Sequence, residues 1–455
     1  MTDSDPTCVR VMVPTGMLGG GFPPSTVDRG LALGADVIAV DGGSTDSGPY
    51  YLGSGTAKTA AAAVGRDLRI LLRAAATAGI PLIIGSCGTS GTDSGVDWVA
   101  GIVNSILAEE GLSLKVARIY SGLTAADLDL GRIRPLPPAG PLDAAVLASC
   151  SNIVGMMGHE PIAAALTAGA DVVLAGRATD TAVAAAFPLL KGMPAGPTWH
   201  ASKIVECGGQ CTTNPRAGGV LATIDAGGFT IEPLDPDVAC TPTSVAAHML
   251  YETVNPFTMR EPAGTIEVRD AVYRALDDRR VRVEGSRFEP AAQHTIKLEG
   301  ARVTGYQTMS FTAIRDPHIL GQIDVWAALL RKMITEWVSG TLGLGAGDYD
   351  LDIRLYGHDA ILGRLDPASG PPREVGVMLL VQAADQRTAT AVAKVANPLM
   401  LHLPTPDMDY LPSLAFATSP AETERGAAYE FVLNHVVEVD SPTGLFRTHL
   451  GEIDA

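Results

Sequence analysis

The sequence predicts an α/β fold. An N-terminal Rossmann-like, mostly parallel sheet with helices on both faces is expected over residues 1–240, followed by an α+β domain over residues 241–455. Three observations lead there. The first half alternates short apolar strands with Ala/Leu-rich helical stretches, the pattern of a parallel sheet built from crossovers. Many of the 50 glycines fall between apolar runs, as tight strand-to-helix turns do. The second half changes character between Asp235 and Asp270, running strands, helix, strands, helix, strand, which suits a helix-covered antiparallel layer.

Taken in order, residues 9–14 read as a strand running into the glycine turn 16–23, and residues 35–40 as a second strand ending at Asp41. Residues 56–78 form a strong helix pattern with Thr56 as its cap, 80–84 a buried strand, 96–110 a helix and 115–120 a strand. The Pro-rich piece 132–141 reads as a surface connection, and 161–168, 170–175 and 181–190 as helix, strand, helix. Further on, 281–286 and 294–314 read as strands, the latter with a turn near Gly305. Residues 317–338 read as one helix with Pro317 at its first position, where a missing N–H costs least. Strands are expected at 348–356, 374–383 and 429–438, and a helix at 385–395.

The composition is globular, with 46% hydrophobic and 18% charged residues. A net charge of −17 excludes nucleic acid, whose phosphates require clustered Lys and Arg, and disfavours an anionic membrane surface. Small anionic substrates stay open, because local arginines and backbone N–H groups override the global sign. The polar stretch 1–10 lacks the apolar core of a signal peptide, and no run reaches the length of a membrane span. The six cysteines are scattered, and the Cys207-x3-Cys211 spacing is neither a zinc knuckle nor a redox pair. A cytoplasmic protein with free thiols is expected.

In open parallel sheets, ligands bind beyond the carboxyl ends of the strands. Four loops there are polar and glycine-rich. The first, 16–22, permits close backbone approach to an anion but lacks the G-x-G-x-x-G spacing; it is either a flexible turn or a binding loop. The second, 41–49, carries Asp41, Gly42, Gly43, Ser44 and Asp46, which can position a metal or serve as acid and base, or form a solvated turn with Asx caps. The third, 85–95, holds Gly85, Ser86, Gly88, Thr89 and Asp93 ahead of a helix, a cradle for a carboxylate or phosphate, or a capping segment. The fourth, 176–181, carries Arg177 and Asp180, which either grip a substrate carboxylate or pair with each other. Downstream, Glu206 offers another acid beside Gly208 and Gly209, and Lys297 with Glu299 reads as a solvent-facing ion-pair stripe. His159 reads as a general base or, as a lone histidine before a helix more often is, a capping or packing residue. No zincin, α/β-hydrolase or Walker A pattern is present, since Ala57 stands where a Walker glycine would precede Lys58.

Several segments together are familiar: Gly176-Arg177-Ala178-Thr179-Asp180 after the strand, then Ser202-Lys203-Ile204-Val205-Glu206-Cys207-Gly208-Gly209, Thr243-Ser244-Val245-Ala246-Ala247-His248, and Val281-Arg282-Val283-Glu284-Gly285. In order and spacing the chain resembles the acyclic terpene utilisation AtuA family, from the first glycine loop to about Asp316. The family is named for gene clusters of citronellol and geraniol breakdown, which implies a catabolic role. Long members resemble this chain plus a small ferredoxin-like module, and short ones accompany a separate small protein, which implies a small partner subunit. The resemblance assigns no catalytic residue.

The expected function is therefore a small-molecule catabolic enzyme, a lyase or hydro-lyase acting on a small carboxylate or its thioester. Asp46, Asp93, Asp180 and Glu206 are the candidates for proton transfer or for holding a divalent metal such as Mg2+ or Mn2+. Gly42, Gly43, Ser44, Gly85, Ser86, Gly88, Thr89 and Arg177 are the candidates for binding the anionic substrate. The alternatives are a nucleotide- or coenzyme A-dependent enzyme, and a non-catalytic subunit of a two-component complex. A homo-oligomer is expected, as for most soluble enzymes.

Overall fold

The computed structural model describes residues 7–216, 218–367 and 370–451. The chain forms two compact units, Met1–Arg302 together with Phe431–Ala455, and Val303–Glu430.

The first unit is built on one mixed sheet. Its parallel core contains β1 (Cys8–Val13), β2 (Val37–Asp41), β3 (Leu82–Gly85), β4 (Val116–Tyr120) and β5 (Val172–Ala175). Four antiparallel strands, β6 (Val220–Asp225), β7 (Gly228–Pro233), β8 (Val272–Ala275) and β9 (Val281–Glu284), extend one edge, and β10 (Arg447–Gly451) closes the other. The spatial order is β8-β9-β7-β6-β1-β2-β3-β5-β4-β10.

Side chains alternate across this sheet as the period-2 pattern requires. Val11, Val37, Ala39, Ile83, Val173 and Ala175 point into one core, with the helices Glu160–Thr167, Asp180–Leu190 and Ala195–Val205. Met12, Ile38, Val40, Leu82, Ile84 and Leu174 point into the other, against the helices Pro24–Ala32, Ala61–Ala78 and Asp93–Glu110. The sheet is thus covered on both faces, which is the Rossmann-like arrangement read from the sequence.

One local expectation is corrected and one helix was not foreseen. Thr56 caps no helix: the chain forms Pro49–Ser54 first, and the long helix begins at Ala61 with Ala60 in the capping position. The Ala195–Val205 helix, unforeseen, is buried at ten of its eleven positions. Its polar residues Thr198, His200, Ser202 and Lys203 are buried with the apolar ones, so it lacks the one-sided stripe that marks a surface helix.

The second unit packs the helices Ile323–Leu342 and Gln386–His402 on one face of antiparallel strands. Tyr349–Tyr356 pairs with Val375–Ala383, which pairs in turn with the far half of Thr295–Ile314. No turn interrupts that last strand at Gly305. Gly305 has φ +148, and a Cβ there would lie 2.6 Å from the Ala383 carbonyl oxygen, so the glycine serves a close strand approach. The helix expected at 317–338 is two, Pro317–Leu320 and Ile323–Leu342. No helix among the described residues is long and apolar enough to cross a membrane.

Candidate functional site

The carboxyl ends of β1, β2, β3 and β5 carry four loops that bind one another through their backbones. Leu18 N–H donates to the Asp41 carbonyl (2.8 Å), Gly42 N–H to Gly85 (2.7 Å), Ser86 N–H to Gly176 (3.0 Å) and Arg177 N–H to Gly91 (3.2 Å). Beside them opens a cavity of about 650 Å3 lined by Met17, Gly43, Ser44, Asp46, Thr89, Asp180 and Cys207, with Lys58, Arg216 and Glu252 among the remaining walls.

Asp41 ends β2 and also lines this cavity. Its Oδ2 accepts from Gly43 N–H at 3.0 Å, while its Oδ1 is buried without a hydrogen-bond partner. Burial pushes the Asp41 carboxyl well above the usual range, and the neighbouring Asp180 pushes it further, against the pull of Arg177. Asp180 opens the Asp180–Leu190 helix, where Thr179 supplies the cap. It too is raised by burial, while Arg177 and Lys203 oppose the shift and Asp46 adds to it. The negative charge of Asp180 thus makes Asp41 readier to keep its proton.

Backbone strain collects here as well. Thr89 has φ +82 and Glu252 φ +52, and both line the cavity; Ser86, one loop away, has φ +42. A β-branched residue at positive φ is held only where its surroundings over-determine it, and such residues cluster at functional sites. Thr89 is fixed on one side by Lys58, whose N–H donates to its Oγ1 at 2.9 Å.

The structure gathers only part of the predicted set. Gly43, Ser44, Asp46, Thr89 and Asp180 line the cavity together. Glu206 lies buried just behind it, bound to the Lys203 ammonium, and burial pushes its carboxyl up to about 8 against the pull of Lys203. Gly42, Gly85, Ser86 and Gly88 are buried in the loop framework rather than on the lining.

Arg177 also lies off the lining, and its guanidinium is occupied. Nε donates to Glu299 Oε2 (2.9 Å), and another nitrogen donates to Ser86 Oγ and the Ala178 carbonyl, each at 3.2 Å. Glu299 also accepts from Lys297 (2.9 Å) and Thr45 (3.2 Å). Burial alone would raise the Glu299 carboxyl, but Arg177 and Lys297 hold it down at about 2. The expected solvent-facing stripe at Lys297 and Glu299 is therefore corrected: Glu299 is a buried anchor.

Asp93 faces a different cavity of about 730 Å3, where it accepts from Gly122 N–H (2.8 Å) and pairs with Arg447. The first glycine loop does line the site cavity, through Gly16, Met17, Gly20 and Gly21. Gly19 and Gly21 N–H groups donate to Oδ2 of the buried Asp67, at 2.8 and 3.1 Å, so a protein carboxylate takes up two of its amides. His159 precedes the Glu160–Thr167 helix and packs edge-on against Trp199.

Lys203, His248 and Glu252 were not foreseen. Glu206, Cys207 and His248 offer ligand atoms all within 4.8 Å of one another. Burial lowers His248 to about 4, with Lys203 adding to the shift, and raises the Cys207 thiol. Sequence spacing could not reveal this set, because His248 lies some forty residues beyond Glu206 on a separate short helical turn.

A doubly covered, mostly parallel sheet with an acid-lined cavity at its strand ends defines the class of protein. The particular family follows from comparison: the model of the acyclic terpene utilisation family protein AtuA matches residues 57–413, and the chain belongs to that family. The match begins after the first glycine loop and continues well past Asp316. No curated protein and no solved structure matches the chain.

Proposed function

We propose that the chain is a small-molecule enzyme of the lyase class, adding or removing water on a small carboxylate or its thioester. The observation that carries this reading is that Asp41 and Asp180 line one cavity. Their two carboxyl groups are both raised by burial, and Asp41 Oδ1 is left without a protein partner.

Elimination of water needs one group to take a proton from carbon and another to give one to the departing hydroxyl. Two carboxyl groups in one site, with burial and Asp180 raising Asp41, supply both roles, one as acid and the other as base. In this reading Asp41 donates through Oδ1, because Oδ2 is held by Gly43, and Asp180 accepts. Strain at Thr89 and Glu252 supports a site built for ligand rather than for stability. Lys58 and Arg216 on the exposed wall offer positive charge to a carboxylate entering among Asp46, Asp180 and Glu252. Asp46, Asp180 and Glu252 would hold a divalent cation such as Mg2+ or Mn2+, which would polarise the substrate carboxylate.

The test is proton NMR in D2O with the purified protein, Mg2+ or Mn2+, and a mixture of hydroxy acids, unsaturated acids and thioesters. The proposal expects deuterium uptake at carbon or a new vinyl signal. Spectra unchanged across that mixture would overturn it.

A further inference from the structure

The floor of the cavity carries a second kind of chemistry. Glu206 follows the Ala195–Val205 helix, Cys207 leads into the turn Gly208–Cys211, and His248 opens the turn after the Pro242–Ala247 helix. These elements bring a carboxylate oxygen, a thiol sulfur and an imidazole nitrogen within 4.8 Å of one another. His248 is 4% exposed, and its Nε2 is buried with no hydrogen-bond partner. A buried polar nitrogen left unpaired is costly, and a nearby thiol is a poor hydrogen-bonding partner for it. A cation satisfies all three groups at once.

We propose that Glu206, Cys207 and His248 form a binding site for a thiophilic divalent cation of the zinc class. The mixture of sulfur, nitrogen and oxygen donors suits that class and not Mg2+ or Ca2+, which take oxygen alone. Lys203 engages Glu206 through Oε1, which leaves Oε2 for the ion. The two anionic ligands offset the ion's charge beside the Lys203 ammonium. Three protein ligands leave a fourth position, and Cys207 lies on the cavity lining, so that position opens toward the cavity. The site does not rest on the lyase reading, because ion binding is read without turnover.

The experiment strips the full-length protein with a chelator and titrates it with Co2+ as the probe. The expected result is one Co2+ per chain, with a strong near-ultraviolet thiolate-to-cobalt band and intense visible absorption of a four-coordinate ion, both bleached by Zn2+. Cys207→Ser removes the near-ultraviolet band, and His248→Gln weakens Co2+ binding about tenfold or more. Cys8→Ser, at the opposite end of β1 from the cavity, leaves both features unchanged. A weak six-coordinate spectrum, or a thiolate band that survives in Cys207→Ser, overturns the site. If that variant fails to fold, alkylation of the wild-type protein decides: Zn2+ must protect Cys207 from iodoacetamide, and equal labelling with and without Zn2+ refutes the proposal. A negative NMR exchange experiment with positive cobalt spectra would retire the lyase reading and keep the metal site.

Discussion

Arg177 and Glu299 hold each other inside the protein, Nε to Oε2 at 2.9 Å, with side chains only 6% and 7% exposed. The pair joins the loop after β5 to the Thr295–Ile314 strand, and Ser86, Thr45 and Lys297 complete its hydrogen bonds. Removing one partner strands the other charge. Arg177→Ala or Glu299→Ala should therefore cost about 3–5 kcal/mol in denaturant unfolding. The double variant Arg177→Met, Glu299→Leu should recover much of that loss; equal destabilisation by single and double variants would show that the pair itself is not the cause.

Asp41→Asn keeps the shape of the side chain and removes its transferable proton. On the lyase reading, kcat should fall about 100- to 10,000-fold while the fold and KM change little. A variant with wild-type kcat would remove Asp41 from the chemistry.

Gly91 sits in the third loop with φ +67, and a Cβ there would lie 2.2 Å from the Arg177 backbone nitrogen. Neither strand-end loop can retreat without breaking the ties between them. Gly91→Ala should lower stability by more than about 3 kcal/mol, combining backbone strain with overlap. Thermal melting indistinguishable from wild type would contradict this account of the loop framework.

Glu261 is buried and accepts from the Thr181 and Thr179 hydroxyls at 2.6 and 2.8 Å. Burial pushes its carboxyl from 4.5 up to about 7. An acid raised in the folded state binds its proton more tightly there than when unfolded. Its contribution to stability is thus complete below pH 4.5 and is lost as the pH rises to about 7. Between those limits the wild type should lose on the order of 3 kcal/mol relative to Glu261→Gln. Stability profiles of the two proteins that run parallel from pH 4.5 to 7 would reject the assignment.

The parallel core was legible because β1, β2, β3 and β5 are short apolar runs that end in glycine-rich turns, and burial on both faces leaves such runs little choice. The strand β10 was not legible: Arg447, Thr448 and His449 are exposed, and only pairing with β4 makes a strand of them. The site divides in the same way. Asp46, Thr89 and Asp180 could be read because strand ends place loops in a known position. Arg177 read as a substrate clamp or as the partner of Asp180, which it does meet at 3.5 Å, while Glu299, 122 residues away, could not be read as its main partner. Lys203 and His248 were hidden because a buried helix and a distant turn meet only in three dimensions.

The pairing of β10 with β4 also sets a schedule for the nascent chain. Val116–Tyr120 leaves the ribosome early, and the strand that covers its outer edge is translated only after the whole of Val303–Glu430. At roughly 5–20 residues per second, that edge waits on the order of tens of seconds. Throughout that interval its backbone amides and carbonyls are open to any passing strand, including those of sister chains on the same messenger. Slow translation of the last third of the message would prolong that exposure, so codon choice there bears on how much of the protein reaches its native state.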